Sequence, residues 1–298
     1  MAAADDAGKQ WRVMITGAYG GIGQALVLRL AENAIPLWLV GRRREKLDDV
    51  MSRLSPDQRT RITVAVHDIA DADDRARLRR SIEQLPWEAR PNVLINLAGI
   101  NDVAWFESQA TGVVERLVSV NLAATMLVTQ ALLPALRETG RARVINVGSM
   151  LGHIGHPGYA AYCAAKFGLR GFSEALRREY AGTSVRVQYL APRATRTPMN
   201  AANVQAMNQA LGNAIDDPDD VAQAVLELLG SGRKQRLMGH PERVFAILNN
   251  WCPALIDRAL GRKVSVMQRY LGGAGVEVVE KGVAALPEAS AEVSEAGK

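Results

Sequence analysis

Three polar side chains, Ser149, Tyr162 and Lys166, have the types and the spacing for acid/base chemistry at an oxygen atom. Tyr162 and Lys166 are four residues apart, so a helix through them would place both side chains on one face. A neighbouring ammonium favours a phenolate, and we therefore expect the pKa of Tyr162 to lie below its usual value of about 10. Ser149 follows a run of apolar, β-branched residues, which predicts a strand with a hydroxyl at its carboxyl end. That hydroxyl would hold a carbonyl oxygen beside the phenol.

A tyrosine and a lysine at this spacing also occur by chance on solvated helices, so the elements that position them must support the chemistry. Residues 11–15 are mostly apolar, residues 16–23 read TGAYGGIG, and residues 24–34 have helical periodicity. Glycines between a strand and a helix let the backbone approach a pyrophosphate, which the free amides of the helix start attract. A plain tight turn is the alternative. The predicted dinucleotide contacts are Gly17, Tyr19, Gly20, Gly21, Ile22 and Gly23.

The end of the second predicted strand indicates which dinucleotide binds. Residues 37–40 (LWLV) are followed by Gly41, at the place where a site for NAD usually carries an acid that binds the ribose hydroxyls. Arg42 and Arg43 come next, and guanidinium groups suit the 2′-phosphate of NADP. A solvated, basic helix start is the alternative. We predict NADP(H) rather than NAD(H) as the cofactor, with Arg42 and Arg43 in contact with it.

Further strands predict an α/β fold with a doubly wound parallel sheet. Apolar runs at 62–66, 93–95, 143–147 and 184–189 alternate with helical patterns, and 235–238 is a candidate edge strand. Asp68 would accept from an adenine amino group or cap the next helix. A long helix over 111–136 contains Asn121, whose side chain would bond to backbone or point outward. The cofactor candidates that follow these strands are Asp68, Ile69, Asn96, Ala98, Gly99, Pro192, Thr195 and Thr197.

The composition excludes several classes of protein. The 298 residues are 48% apolar and 22% charged, as in a soluble globular domain, and we find no run of the ~18 apolar residues that span a bilayer. The N-terminus lacks the apolar core of a signal peptide, and two cysteines form neither a disulfide framework nor a metal motif. We expect a cytoplasmic protein without a metal site. Scattered arginines without an aromatic stacking platform argue against nucleic acid as a partner.

Together these motifs resemble the short-chain dehydrogenase/reductase family, in its compact single-domain branch, over residues 12–238. TGxxxGxG stands at 16–23, Asp68 matches the adenine-binding acid, and Asn121, Ser149, Tyr162 and Lys166 match the catalytic tetrad. The resemblance implies a Rossmann fold and hydride transfer between a nicotinamide and the carbonyl or alcohol carbon of a small molecule.

The resemblance also implies roles for the tetrad. Tyr162 would be the general acid in reduction and the base in oxidation. Lys166 would lower the pKa of Tyr162 and hold the nicotinamide ribose, so both residues are cofactor contacts as well. Ser149 would stabilise charge on the substrate oxygen, and Asn121 would hold a water of a proton relay. The alternative function is a catalytically silent dinucleotide-binding sensor or scaffold, against which the complete tetrad argues.

Two positions depart from the family pattern. Leu97 replaces the second asparagine of the family's NNAG, and Arg193 replaces the glycine after Pro192, which puts the loop beside the nicotinamide in question. The substrate itself does not follow from the sequence. The segment 200–215 has few charges and is interpreted as a mobile helical lid. Together with Met199 it favours an apolar, medium-to-large substrate. His153 and His156 would border the same pocket or be solvated.

The predicted domains are a flexible N-terminus (1–10), a catalytic domain (11–240), a helical extension (241–281) and a disordered tail (282–298). In the extension an apolar stripe has helical spacing, and Pro253 would kink or divide the helix. The stripe would pack on the core or another subunit, or cover a hydrophobic substrate pocket. A membrane surface at 241–263 is the third alternative and is not expected. The predicted stripe consists of Val244, Leu248, Trp251, Cys252, Leu255 and Ala259.

Small residues after Tyr159 favour close contact between helices of two subunits. We therefore expect a homodimer or homotetramer formed through the helices that carry Asn121 and Tyr162. The small residues are Ala161, Ala164, Ala165, Gly168 and Gly171.

Overall fold

The computed structural model describes residues 11–271 and contains a seven-stranded parallel sheet. Its strands are β1 (Val13–Thr16), β2 (Leu37–Gly41), β3 (Ile62–Val66), β4 (Val93–Asn96), β5 (Ala142–Val147), β6 (Val185–Ala191) and β7 (Gln235–Leu237). Their spatial order is β3-β2-β1-β4-β5-β6-β7. The central strands β1, β4 and β5 are buried along their whole length, as expected when helices cover both faces of a parallel sheet. The predicted doubly wound α/β fold is confirmed.

Helices on the two faces divide the core into two apolar layers. One layer includes Leu26 and Val225 and lies where the first helix contacts the ninth; the other includes Leu78 and Val128, between the fourth and sixth helices. The helices are α1 (Gly21–Glu32), α2 (Arg44–Ser52), α3 (Pro56–Arg59), α4 (Ala72–Glu83), α5 (Thr111–Val118), α6 (Ala124–Glu138), α7 (Ala160–Glu179), α8 (Ala202–Ala210), α9 (Pro218–Gly230), α10 (His240–Trp251), α11 (Pro253–Gly261) and α12 (Val264–Leu271).

The strand order opens a crevice at the carboxyl ends of β1 and β4. From β1 the sheet grows outward through β2 and β3, and from β4 it grows in the opposite direction, so the connections diverge between these two strands. Thr16 links the two strand ends, since its hydroxyl accepts from the backbone N–H of Leu97 at 3.3 Å and of Ala98 at 3.4 Å. Leu97 packs its side chain on the core, so the change from asparagine leaves this backbone link intact.

A π-helical segment, Ser119–Ala123, joins α5 to α6 in one continuous helix. By length and composition this helix, Thr111–Glu138, is long and apolar enough to cross a membrane, although no such run was expected from the sequence. It is instead a core helix, because it contributes Val128 and Leu132 to the apolar layer beneath the sheet. The π segment matters for the site, since single π turns often occur where a helix carries a functional residue.

The C-terminal extension folds as three short helices, α10 to α12, and Pro253 divides the first two as expected. Packing of the apolar stripe on the core of its own chain is wrong for most of its residues within the described part of the chain, whereas contact with another subunit stays a prediction. Val244, Trp251 and Leu255 are exposed, whereas Ala246 and Ile256 are the buried residues of α10 and α11. The predicted flexible N-terminus, the end of the extension and the disordered tail lie outside the described residues 11–271.

Candidate active site

The glycine-rich turn after β1 forms a backbone cradle at the start of α1. Gly17 has a positive φ of 72°, and a Cβ there would lie 2.7 Å from the Cα of Ala98, so the turn requires glycine. Gly20 is the N-cap of α1 and contributes no side-chain hydrogen bond, and the first turn contains no acid. The first amides of α1 therefore point to where an anion would bind, which fits the pyrophosphate of a dinucleotide. Tyr19 and Ile22 are half-buried beside this cradle.

Tyr19 explains why β2 ends in glycine rather than in an acid. Its ring lies over Gly41, where an added Cβ would be 2.5 Å from Cε1 of Tyr19. The guanidinium of Arg43 lies over the same ring, 5.4 Å from its centroid. Nη1 of Arg42 is 3.9 Å from Oδ2 of Asp68, in an ion pair that remains partly exposed. This end of the crevice thus carries two cations and leaves no space for a carboxylate at position 41.

The remaining candidates at the ends of β3 and β4 differ in their accessibility. Asp68 accepts from the backbone N–H of Ala70 at 2.9 Å, so it caps the turn and keeps one oxygen near Arg42. Ile69 is buried in the core layer with Met14 and Val40. The side chain of Asn96 is also inside the fold, where its Nδ2 donates to the hydroxyl of Thr129 at 3.0 Å and to Oδ1 of Asn146 at 2.8 Å. Ala98 and Gly99 are half-buried at the crevice.

Asn121, in the π segment, fixes the loop that follows β4. Its Oδ1 accepts from the backbone N–H of Ile100 at 2.8 Å, and its Nδ2 donates to the carbonyl of Ile100 at 2.9 Å. A Cβ on Gly99 would lie 2.8 Å from this Oδ1 and 3.9 Å from Nζ of Lys166. Asn121 is fully buried, and the expectation that it bonds to backbone is met across two elements rather than within its own helix.

Ser149, Tyr162 and Lys166 converge where β5 passes into α7. Ser149 caps a short 3₁₀ turn, and its hydroxyl accepts from the backbone N–H of Leu151 at 3.1 Å. Lys166 is buried; its Nζ donates to the carbonyl of Val147 at 3.3 Å and lies 5.7 Å from the centroid of the Tyr162 ring. The helical spacing predicted for Tyr162 and Lys166 thus brings both to the end of the strand that carries Ser149.

The charges at this site differ from the expectation that Lys166 lowers the pKa of Tyr162. Burial raises the pKa of the Tyr162 phenol above its ordinary value, and a hydrogen bond with Ser149 opposes this shift. Burial also lowers the pKa of Lys166 to about 8. Desolvation is the largest cause of both pKa shifts, because each group loses water in its charged form. The phenol therefore holds its proton more tightly than a phenol in water.

The loop after β6 closes the other side of the crevice. Pro192 accepts a hydrogen bond from the backbone N–H of Met150 at 2.8 Å, which ties this loop to the turn after Ser149. Thr195 is buried and pairs with Asp216 in an isolated parallel bridge. The side chain of Thr197 lies against the start of α1, since a Cβ on Gly21 would be 2.6 Å from its Cγ2. Of the three predicted cofactor residues of this loop, Thr197 therefore lies beside the glycine cradle, while Pro192 lies beside the turn after Ser149.

An apolar cluster covers Tyr162; its residues in α8 belong to the predicted lid segment 200–215, and its residues in α12 lie in the predicted extension, beyond the predicted apolar stripe. It combines the turn before α7 with α8 and α12, since α8 packs directly on α12. Gly158 has a positive φ of 76°, and a Cβ there would lie 2.9 Å from Cδ1 of Leu271. The signal in the sequence is the helical spacing of Met267, Tyr270 and Leu271, which is typical of a buried face. The buried members are Tyr159, Cys163, Val204, Met207 and Met267, and Tyr162, Trp105 and Leu151 are among those packed on them.

The histidines of the turn are not solvated, contrary to one of the two expectations for them. His153 is buried, its ring centroid lies 5.8 Å from that of Tyr189, and its carbonyl accepts from Nδ2 of Asn249 at 3.1 Å. Burial lowers the pKa of His153 to about 4, and the charge of Arg170 adds to this effect. His156 is half-buried and bonds to the carbonyl of Pro157 at 2.9 Å.

Within residues 11–271 no group of three or more His, Cys, Asp or Glu side chains has the arrangement of a metal site. Cys163 and Cys252 are both free thiols, the first buried and the second exposed.

Comparisons with known proteins agree with this geometry. A family model described as short chain dehydrogenase matches residues 12–208. The chain is 35% identical over 224 residues to sulfoacetaldehyde reductase 2 of Chromohalobacter salexigens, covering 73% of this chain and 86% of that protein. It is 30% identical over 224 residues to 3alpha-hydroxysteroid dehydrogenase of Mediterraneibacter gnavus, with 72% and 88% covered. Among solved structures, a variant of actinorhodin polyketide ketoreductase with NADPH has a TM-score of 0.67 at 25% identity, with 76% and 95% covered.

Proposed function

Because the chain belongs to the short-chain dehydrogenase family, and so to the oxidoreductases that use nicotinamide cofactors, we propose that it is an NADP(H)-dependent reductase of apolar ketones or aldehydes. The observation that carries the proposal is the convergence of Ser149, Tyr162 and Lys166 at the end of β5, on the same edge of the sheet as the glycine cradle. A sensor or scaffold would not need an acid, an ammonium and a hydroxyl at one point.

The protonation states support carbonyl reduction. When bound, the nicotinamide supplies the hydride. Tyr162 carries the proton that the substrate oxygen needs, since a phenol is protonated at neutral pH and burial favours this neutral form further. Ser149 donates a hydrogen bond to the same oxygen and stabilises the negative charge that develops there. Lys166, held by the carbonyl of Val147, stabilises the phenolate left after proton transfer and holds the ribose hydroxyls.

Position 41 supports NADP(H) over NAD(H). An acid at the end of β2 would bind the ribose diol of NAD, but the ring of Tyr19 occupies the space of any side chain at Gly41. Arg42 and Arg43 lie beside that position, and a guanidinium binds a phosphate with two parallel hydrogen bonds. NADPH in the related ketoreductase agrees with this assignment.

The cover over Tyr162 supports an apolar, medium-to-large substrate. Val204 and Met207 of α8 and Met267 of α12 are buried in the cluster on which Tyr162 packs. A substrate that reaches the phenol must replace these contacts, and apolar surface does so without stranding a polar group. The 3alpha-hydroxysteroid dehydrogenase among the relatives is named for a substrate of this kind.

Exposed apolar residues on the outer sides of α6 and α7 support a homo-oligomer. Met126, Leu127 and Phe167 are exposed, and Ala164 and Gly171 leave the surface of α7 open between them. Part of the small-residue pattern serves the chain itself, because Gly168 lies against Leu122 of the π segment. We propose that a second subunit covers these exposed apolar residues of α6 and α7. We also propose that the protein acts in the cytoplasm.

The test is a titration of the protein with NADPH and with NADH, followed by NADPH consumption with ketones graded by size and polarity. We expect tighter binding of NADPH and turnover that rises with the apolar size of the ketone. Met267→Ala, which removes part of the cover and enlarges the space beneath it, should shift this preference toward larger ketones, while Met51→Ala, in α2 and outside the cover, should not. Turnover confined to small polar aldehydes would refute the substrate class, and binding of NADPH without turnover on any ketone would favour the sensor.

A further inference from the structure

Helix α10 is amphipathic in the reverse sense, with its polar side toward the protein and its apolar side toward solvent. Glu242 lies 3.6 Å from Arg193, Ala246 is buried, and Asn249 donates to the carbonyl of His153. The opposite side of the helix carries Ile247, which is 61% exposed, and Trp251, which is 83% exposed. An exposed tryptophan of this extent leaves a large apolar surface in water, which a soluble protein rarely does without a partner.

We call the exposed apolar residues of α10 and α11 the outer face: Val244, Ile247, Trp251 and Leu255. The first three are spaced three and four residues apart, so they lie on the same side of α10. Leu255 follows in α11 and is also more than half exposed. Scattered apolar residues on a surface need no explanation, but a row along one helix face predicts contact with an apolar phase or partner.

The charges around the outer face are mostly positive. Residues 240–271 contain five Arg or Lys side chains and two acids, Glu242 and Asp257, and Glu242 faces Arg193. Arg243 and Arg258 are exposed within the two helices that form the outer face, and Arg262 follows directly after α11. This combination of an apolar strip with flanking cations complements a surface that is apolar inside and negative outside.

We propose that the outer face docks on an anionic lipid surface. Trp251 and the aliphatic side chains would enter the boundary between headgroups and acyl chains, and the arginines would contact lipid phosphates. A second copy of the chain fits less well, because a two-fold contact would bring the arginines of both copies together. The proposal concerns lipid binding, so it stands independently of the proposed reaction. For the proposed reaction, such docking would bring α12, which is part of the cover over Tyr162, close to a lipid phase in which apolar ketones dissolve.

The experiment is flotation of the full-length protein with vesicles of phosphatidylcholine, with and without phosphatidylglycerol. We expect binding to the vesicles that contain phosphatidylglycerol, weakened by added salt, and little binding to phosphatidylcholine alone. Trp251→Ser and Ile247→Ser should each weaken binding by about tenfold, the scale of one large apolar side chain returned to water. Arg258→Gln should weaken it by about fivefold.

Trp87→Ser is the matched control, because Trp87 is 58% exposed but lies in the loop between α4 and β4, far along the chain from the outer face. It should leave flotation unchanged, and unaltered NADPH binding by all variants would show that they are folded. Lack of flotation with anionic vesicles would overturn the proposal, as would equal losses in Trp87→Ser and Trp251→Ser. A lower molecular mass of Trp251→Ser in solution, without vesicle binding by the wild type, would assign the outer face to a second copy instead.

Discussion

Arg193 and Asp216 form a fork-shaped ion pair, with Nε and Nη2 of the guanidinium 2.8 Å and 2.7 Å from the same carboxylate oxygen. The arginine that replaces the family's glycine after Pro192 thus turns toward the segment that precedes α9. Its Nη1 also lies 3.6 Å from Glu242, at the start of α10. One side chain therefore connects the loop beside the glycine cradle to the C-terminal extension.

Replacing Arg193 should destabilise both segments. Arg193→Met retains the aliphatic stem but leaves the carboxylate of Asp216, which is buried, without its partner, so we expect a loss of about 2 kcal/mol in the free energy of unfolding. Arg196→Met is the control, since Arg196 pairs with Asp217 in an exposed ion pair and should cost under about 1 kcal/mol. Chemical denaturation measures both variants, and equal losses would show that the Arg193 contact has no special role.

Arg42→Ala should weaken NADPH binding by about 1–3 kcal/mol, because the 2′-phosphate would lose a charge-assisted hydrogen bond. Binding of NADH, which lacks that phosphate, should change little. Arg44→Ala is the matched control, because Arg44 is engaged with Asp48 within α2, with Nε 2.9 Å from the carboxylate. Fluorescence titration measures all three proteins. Similar losses for both cofactors would mean that Arg42 does not read the phosphate.

His153 should make the protein less stable in mild acid. Its pKa is near 4 in the folded protein and near 6.5 when unfolded, so below about pH 6.5 the unfolded chain binds more protons and stability falls as the pH falls. At about pH 5 we expect His153 to have lowered the free energy of unfolding by about 1–2 kcal/mol relative to neutral pH. His153→Gln should reduce the loss between about pH 7.5 and 5, whereas His240→Gln, at an exposed residue, should not. An identical pH dependence in wild type and His153→Gln would contradict this account.

The exposed apolar residues of α6 and α7 should hold the subunits together. Placing a charge in an apolar interface opposes assembly because the charge loses water, so Leu127→Glu combined with Phe167→Glu should lower the mass of the protein in solution. Phe106→Glu changes an aromatic residue that is more exposed than either and lies outside these helices, so it should not lower the mass. Light scattering after gel filtration provides the masses. An unchanged mass for the double variant would place the interface elsewhere.

The sequence predicts the strands and the meeting of Ser149, Tyr162 and Lys166 at the end of β5 because its signals there are local. Apolar β-branched runs indicate the strands, and the four-residue spacing of Tyr162 and Lys166 fixes a shared helix face. The local pattern of polar and apolar residues does not show which face of an amphipathic helix will contact the rest of the protein. In α10, Glu242 and Asn249 find partners in Arg193 and His153, from distant parts of the chain, and this choice leaves Trp251 outside. The predicted pKa of Tyr162 differs from that of the structure for a related reason. The desolvation that raises this pKa depends on the cover from α8 and α12, which the spacing of Tyr162 and Lys166 does not reveal.

Deuterium transfer from NADPH labelled at C4 to a large apolar ketone, compared between wild type and Tyr162→Phe, tests the central claim most directly. We expect the wild type to place deuterium on the carbinol carbon of the product. Tyr162→Phe should bind NADPH as the wild type does and lose about a hundredfold to ten-thousandfold in kcat, because it lacks the proton donor. Turnover of Tyr162→Phe close to that of the wild type would contradict the acid role of Tyr162 and with it the proposed mechanism.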